Sequence, residues 1–98
     1  MITFAALLLV AQPQVGQLAA RVESQPRQVR IFIERRAECV HWMGEEPYDA
    51  ARRRAIDRAL RRLRCGTLDR TEASLRRRYA GNPDVLAILE ETRDLLGW

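Results

Sequence analysis

The sequence contains no lysine and few of the residues on which catalytic motifs depend. All 17 basic residues are arginine, against 13 acidic residues, so the net charge is +4. One histidine, two cysteines and five glycines occur in 98 residues. This scarcity excludes a phosphate-binding P-loop, a dinucleotide-binding fingerprint and a multi-cysteine zinc module. We therefore expect a protein that is not an enzyme and that holds no cofactor and no metal.

Residues 2–11 form an uncharged, mostly apolar run that Gln12 and Pro13 close. A bilayer span needs about 20 residues, whereas the apolar part of a secretory signal has about 7–15. No basic side chain precedes the run, and no clear cleavage site follows it. The alternative is a buried first helix of a cytoplasmic domain. We predict a leader over residues 1–20, one small domain over residues 21–98, and a periplasmic or secreted protein.

Hydrophobic residues recur with helical spacing along the chain, which predicts an all-α fold. The first helix is expected over residues 14–23. Pro26 and Gly44 bound the second, and the cap Asp49 and Gly66 bound the third. Asp69 and Glu72 form a capping box for the fourth, which Gly81 ends. Asn82 caps the fifth, which begins at Pro83. We expect a compact bundle of about four short helices after the leader. The candidate core positions are Val29, Phe32, Ile33, Ala37, Val40, Met43, Ile56, Ala59, Leu60, Leu63, Val85, Ile88, Leu89 and Leu96.

Charge is distributed unevenly along the chain. Residues 50–80 carry eleven arginines and only three acids, whereas residues 81–98 carry four acids and one arginine. We expect the acidic C-terminal segment to pack beside the basic middle of the chain.

Cys39 and Cys65 are the two cysteines, and in an exported protein such a pair predicts one disulfide. Geometry raises an objection. In a tight hairpin Cys39 would lie about 6 Å and Cys65 about 23 Å from the turn, whereas a disulfide needs Cα atoms within about 7 Å. The bond therefore requires an extended connection over residues 44–48 or steeply crossed helices. Two separate buried thiols remain the alternative.

Cys39, His41, Glu45 and Cys65 are also residue types that bind zinc. Residues 39 and 41, however, point about 200° apart on a regular helix. The same angle disfavours a cysteine–histidine nucleophilic pair. We therefore predict no metal site and no catalytic residue.

The segment from Cys39 to Asp49 has the most unusual composition in the chain. Trp42 faces away from the apolar stripe, and acids and a tyrosine follow it closely. An aromatic side chain beside carboxylates suits a basic partner. The alternative is that the aromatic side chains cover one end of a small core, while the histidine pairs with the glutamate four residues later. The candidate interaction surface consists of His41, Trp42, Glu45, Glu46 and Tyr48.

Over roughly residues 30–80, the sequence resembles small uncharacterised proteins of sphingomonad-type proteobacteria. These have a leader, a C-x-H-W-x-G-E-E-P-Y-D stretch and a basic helix that ends in cysteine. The resemblance implies an exported helical protein with paired cysteines, and it implies no activity. A much looser similarity links the helix containing Leu75 and Tyr79 to LprI-type lysozyme-inhibitor domains, which would imply a protein binder. The matching positions are Cys39, His41, Trp42, Gly44, Glu45, Glu46, Pro47, Tyr48, Asp49 and Cys65.

The arginines of the third helix cover a broad face opposite its apolar stripe. Such a face can follow phosphates on nucleic acid or on another anionic surface. No aromatic residues interleave it and no nucleic-acid-binding signature is present, so a solvated helix face is the simpler interpretation. Its candidate basic residues are Arg54, Arg58, Arg61 and Arg62. We expect an envelope protein as the partner, with a cytoplasmic nucleic-acid or anion binder as the alternative function.

Overall fold

The computed structural model describes residues 14–95, and this part of the chain contains helices and connecting turns without a strand. The all-α prediction is confirmed. There are five α-helices here rather than about four, because the first begins inside the predicted leader. None of them is long and apolar enough to cross a membrane. The helices are α1 (Gln14–Glu23), α2 (Arg27–Met43), α3 (Ala50–Arg62), α4 (Leu68–Arg78) and α5 (Pro83–Leu95), with one 3-10 turn at Cys65–Thr67.

The predicted leader lies largely outside the described residues. Its apolar run at 2–11 is not described, and the predicted boundary near residue 20 falls within α1. In α1, Leu18 and Val22 pack against the core, and Arg21 pairs with Glu91 at 2.7 Å. The C-terminal part of α1 is thus attached to the rest of the fold.

Two predicted helix caps are confirmed. The Asp49 side chain accepts a hydrogen bond of 2.7 Å from the backbone N–H of Arg52 at the start of α3. The Asn82 side chain accepts one of 3.2 Å from the N–H of Val85 at the start of α5. Each satisfies a backbone donor that has no partner within its own helix.

The connection between α3 and α4 differs from the prediction. Helix α3 ends at Arg62 rather than near Gly66, because Arg64 adopts a left-handed conformation with φ of 53°. Helix α4 then begins at Leu68 with Thr67 at its N-cap, so the predicted capping box of Asp69 and Glu72 is wrong. The reason is that Glu72 is buried and makes ion pairs inside the bundle.

The core lies where α2 packs against α4 and α5. Val29, Phe32 and Ile33 of α2 are buried in one cluster with apolar residues of both other helices. The apolar stripe on α2 stops before the helix ends. Met43 is 48% exposed, so the prediction that Met43 belongs to the core is wrong. The last turn of α2 extends beyond this cluster. Leu96, which was also predicted to lie in the core, is outside the described residues. The other members of the cluster are Cys39, Leu68, Leu75, Val85, Ile88 and Leu89.

Arg36 lies at the centre of this core and is fully buried. Its Nη1 donates to Glu72 Oε1 of α4 at 2.7 Å. Its Nη2 donates to the backbone carbonyl of Leu89 at 3.0 Å and to Thr92 Oγ1 at 2.7 Å, both on α5. One guanidinium therefore joins α2 to both of the helices that pack against it.

The carboxylate of Glu72 is shared by three arginines. Besides Arg36, it accepts from Arg76 Nε at 2.8 Å and from Arg93 Nη1 at 3.3 Å. Burial lowers the pKa of Arg36, and the adjacent Glu72 carboxylate raises it in partial compensation.

Arg76 also pairs with Glu90 at 2.7 Å, so the acidic segment does pack beside basic residues of α4. The arginines of α3 have no ion pair with that segment among the described residues.

We expect Glu72→Gln to destabilise the protein by about 3 kcal/mol, because it leaves the buried charge of Arg36 without its counter-charge. The free energy of unfolding from urea titration measures this cost. Glu90→Gln is the matched control, since it removes an exposed partner of the same cluster and should cost less than about 1 kcal/mol. Equal costs for both variants would contradict a central role for the buried pair.

Candidate functional site

Cys39 and Cys65 form a disulfide with their Cα atoms 5.7 Å apart, which confirms the predicted pair. Cys39 is fully buried on α2, whereas Cys65 is half-buried in the 3-10 turn after α3. The bond ties this turn to α2. Neither cysteine is a free thiol in this structure.

The objection to the disulfide assumed that α3 continues to Gly66, whereas the helix ends at Arg62. Arg52, near the start of α3, contacts Trp42, whereas Leu63, just after its end, contacts Arg35. The left-handed residue Arg64 then turns the backbone so that Cys65 reaches Cys39.

The predicted interaction surface contains one connected cluster. His41 Nε2 pairs with Glu45 Oε1 at 3.2 Å, as expected for residues four apart. Glu45 Oε2 pairs with Arg52 Nη2 at 3.0 Å. The guanidinium of Arg52 also lies 5.3 Å from the centroid of the Trp42 ring. Arg52 thus covers the tryptophan and neutralises the glutamate, so these groups are largely satisfied within the protein.

Three side chains beside this cluster remain open to solvent. Tyr48 is 76% exposed and Met43 is 48% exposed, and Glu46 is also exposed. None of the three side chains has a hydrogen bond or ion pair among the described residues. We call Met43, Glu46 and Tyr48 the exposed edge. Of the predicted surface, Glu46 and Tyr48 are exposed and unpaired among the described residues, and His41 is exposed but pairs with Glu45. Trp42 and Glu45 are half-buried and contact Arg52.

The predicted basic face of α3 is exposed along its length. Arg54, Arg58, Arg61 and Arg62 are all exposed, and none forms an ion pair with another described residue. Because they share one short helix, their positive charges add over a small surface.

No group of three or more histidine, cysteine or acidic side chains in residues 14–95 could hold a metal ion. The absence of a metal or cofactor and the absence of catalysis stay predictions, since they concern the whole chain.

Sequence reasoning missed the buried Arg36 and the role of its neighbour Arg35. Arg36 follows Phe32 and Ile33 by four and three residues, so helical spacing alone puts it on the apolar face. An arginine inside an apolar stripe is the signal that could have found it. Its partners could not have been named, because Glu72 and Thr92 lie 36 and 56 residues away.

No protein-family model, no curated protein and no solved structure matches this chain. The resemblances to small exported proteobacterial proteins and to LprI-type domains therefore stay predictions.

We expect the double variant Cys39→Ala with Cys65→Ala to be less stable by about 3.5 kcal/mol, because the closed loop spans a separation of 26 residues. Urea unfolding with and without dithiothreitol measures the loss. Reductant should destabilise the unaltered protein and leave the double variant unchanged. An unaltered protein whose stability does not respond to reductant would contradict this contribution.

Proposed function

We propose that this chain is a small exported, non-catalytic protein that binds a partner in the cell envelope. The observation that carries the proposal is the Cys39–Cys65 disulfide. Disulfides persist in oxidising compartments such as the periplasm and are rare in the cytoplasm. The apolar run at residues 2–11 supports the same location.

A binding role is supported by how the surface is built. Glu45 pairs with both His41 and Arg52, and Arg52 also lies over the ring of Trp42. These contacts hold the neighbouring segment in place. The exposed edge next to it offers an aromatic ring, a thioether and a carboxylate. Tyrosine and methionine are enriched at protein interfaces, and the Glu46 carboxylate favours a partner with positive charge at its rim.

The first test of the proposal is the intact mass of the protein recovered from each cell fraction. The full chain is expressed in a bacterium, and thiols are alkylated with and without prior reduction. We expect periplasmic protein that has lost about 20 N-terminal residues. Its two cysteines should be alkylated only after reduction. Cytoplasmic protein of full mass with both thiols alkylated before reduction would overturn the proposal.

The second test addresses the exposed edge. A photo-crosslinking amino acid in place of Tyr48 should give one discrete adduct with an envelope protein after irradiation of cells. The matched control carries the same amino acid in place of Ala87, an exposed residue on α5. An equal pattern of adducts at both positions would count against a specific surface, and the partner's identity follows from mass spectrometry of the adduct.

A second candidate function is a binder of nucleic acid or another polyanion, favoured by the unpaired charges of Arg54, Arg58, Arg61 and Arg62 within the described part. This function predicts DNA binding that weakens steeply with salt. It also predicts loss of binding in Arg58→Glu with Arg61→Glu, but not in Arg77→Glu with Arg78→Glu, which makes the same charge change on α4. Equal effects of the two pairs would exclude the α3 face as a specific site.

A further inference from the structure

A cleft of about 320 Å³ lies between α2 and the start of α4, on a surface that the proposed function does not use. Its volume is at the lower end of pockets that hold small molecules. Three of its lining residues are arginines, and none is acidic. The residues that matter for its chemistry are Gln28, Ile31, Arg35, Arg64, Arg70 and Thr71.

Arg35 is held rigidly in the wall of this cleft. Its Nη1 donates to the backbone carbonyls of Leu63 at 2.9 Å and Arg64 at 3.0 Å. Its Nη2 donates to Thr71 Oγ1 at 3.1 Å. Since a guanidinium has five N–H donors, Nε–H and one hydrogen on Nη2 have no acceptor among the described residues. Both donors are therefore available to the oxygens of an oxyanion.

The positive charge of Arg35 is not neutralised by the protein that the structure describes. Its acceptors are two carbonyls and the hydroxyls of Thr67 and Thr71, all of them neutral, whereas the adjacent Arg36 has the carboxylate of Glu72. Glu34 and Glu38 flank Arg35 along α2, yet neither forms an ion pair with it. Burial lowers the pKa of Arg35, and the charge of Arg64 lowers it further. A bound anion would relieve this repulsion between like charges.

Arg64 reaches the cleft through an unusual backbone conformation. Its φ of 53° is in the left-handed region, which is uncommon for a residue other than glycine, asparagine or aspartate. This conformation places its carbonyl on Arg35 while its side chain lines the same cleft. The strained turn therefore fixes two positive groups beside each other.

The first turn of α4 adds to the positive potential. Thr67, at the N-cap, makes no capping hydrogen bond with its side chain; its hydroxyl donates to the carbonyl of Arg64 at 2.8 Å and accepts from Arg35 Nη1 at 3.4 Å. The N-terminal end of a helix carries a partial positive charge and favours anions. Asp69, the one acid in this turn, lines a different cleft with Glu72 and Arg93.

We propose that this cleft binds the phosphate group of a small phosphate monoester. Three arginines around one small volume match a dianion better than a monocarboxylate, which could neutralise only one of them. Ile31, 45% exposed at the cleft, offers apolar contact to the organic part of the ligand. The monoester is either a soluble compound or a lipid headgroup such as that of phosphatidic acid, and the experiment separates these sources.

The test is a titration of the 15N-labelled, oxidised protein, followed by amide chemical shifts. The soluble probes are inorganic phosphate, n-butyl phosphate and butyrate, all at the same ionic strength. We expect butyl phosphate to bind at least about tenfold more tightly than butyrate, because the dianion meets two or more charged donors. Shifts should concentrate at residues 28–35 and 64–71. Inorganic phosphate should bind more weakly than butyl phosphate if Ile31 contacts the alkyl group.

Vesicles distinguish a lipid source from a soluble one. If the ligand is a lipid headgroup, the protein should sediment with vesicles containing phosphatidic acid and not with phosphatidylcholine vesicles, and butyl phosphate should compete. If the ligand is a soluble ester, butyl phosphate should bind. In that case the cleft substitutions Arg64→Asn with Arg70→Gln should leave any sedimentation with vesicles unchanged. Equal sedimentation with both lipids, without competition, would contradict a headgroup site.

Matched pairs of variants test whether binding is local. Arg64→Asn with Arg70→Gln removes two cleft charges, and asparagine tolerates the left-handed conformation. We expect this pair to weaken butyl phosphate binding at least about tenfold. Arg58→Gln with Arg61→Gln removes the same charge from α3 and should change affinity less than about twofold. Arg70→Gln alone, at an exposed position, keeps the test valid if the double variant unfolds. Equal weakening by both pairs, or no localised shift with any phosphate probe, would overturn the proposal.

Discussion

The buried guanidinium of Arg36 is the group on which the arrangement of the helices depends. It extends from α2 to a carboxylate on α4 and to a carbonyl and a hydroxyl on α5, all within 3.0 Å. A charge removed from water is tolerated where such partners compensate it, although the buried Nε of Arg36 has no hydrogen-bond partner among the described residues. The apolar residues around it favour burial in many arrangements, but the partners of Arg36 are satisfied only when α4 and α5 take these positions. The ion pair thus contributes specificity to a small core.

A second set of interactions fixes α3 and the turn that follows it. The disulfide joins Cys65 to Cys39, and one turn earlier on α2 Arg35 donates to the last carbonyls of α3. The two consecutive arginines of α2 therefore have different surroundings. Arg36 is neutralised inside the core by Glu72, which Arg76 and Arg93 also use. Arg35 keeps its charge at a cleft, and Arg54, Arg58, Arg61 and Arg62 of α3 keep theirs in solvent. Positive charge is consequently concentrated on surfaces that suit anionic ligands.

Local signals predicted much of the fold. The bounds of α1, the cap at Asp49 and the start of α5 at Pro83 depend on residues close in sequence, and all are confirmed. The predicted end of α3 was wrong because the turn at Arg64 depends on a residue distant in sequence. Arg35 donates to the carbonyls of Leu63 and Arg64, 28 and 29 residues later, and such carbonyls occur in any sequence. The sequence spacing of Glu72 is that of a helix-capping residue. The burial of Glu72 follows only from the position of Arg36 in the folded structure. At the candidate surface, the pairing of His41 with Glu45 was visible from spacing, whereas the contact of Arg52 with Trp42 depends on how α3 crosses α2.

Arg36 is a buried, hydrogen-bonded ion that joins three helices. Side-chain 15N spectra of the arginines test it most directly. We predict one guanidinium whose protons exchange slowly with water and show nuclear Overhauser contacts to Phe32 and Thr92. The exposed arginines, such as Arg58 and Arg61, should give averaged, rapidly exchanging signals. If every arginine exchanges rapidly and no guanidinium contacts the core, Arg36 is solvated and this account of the fold is wrong.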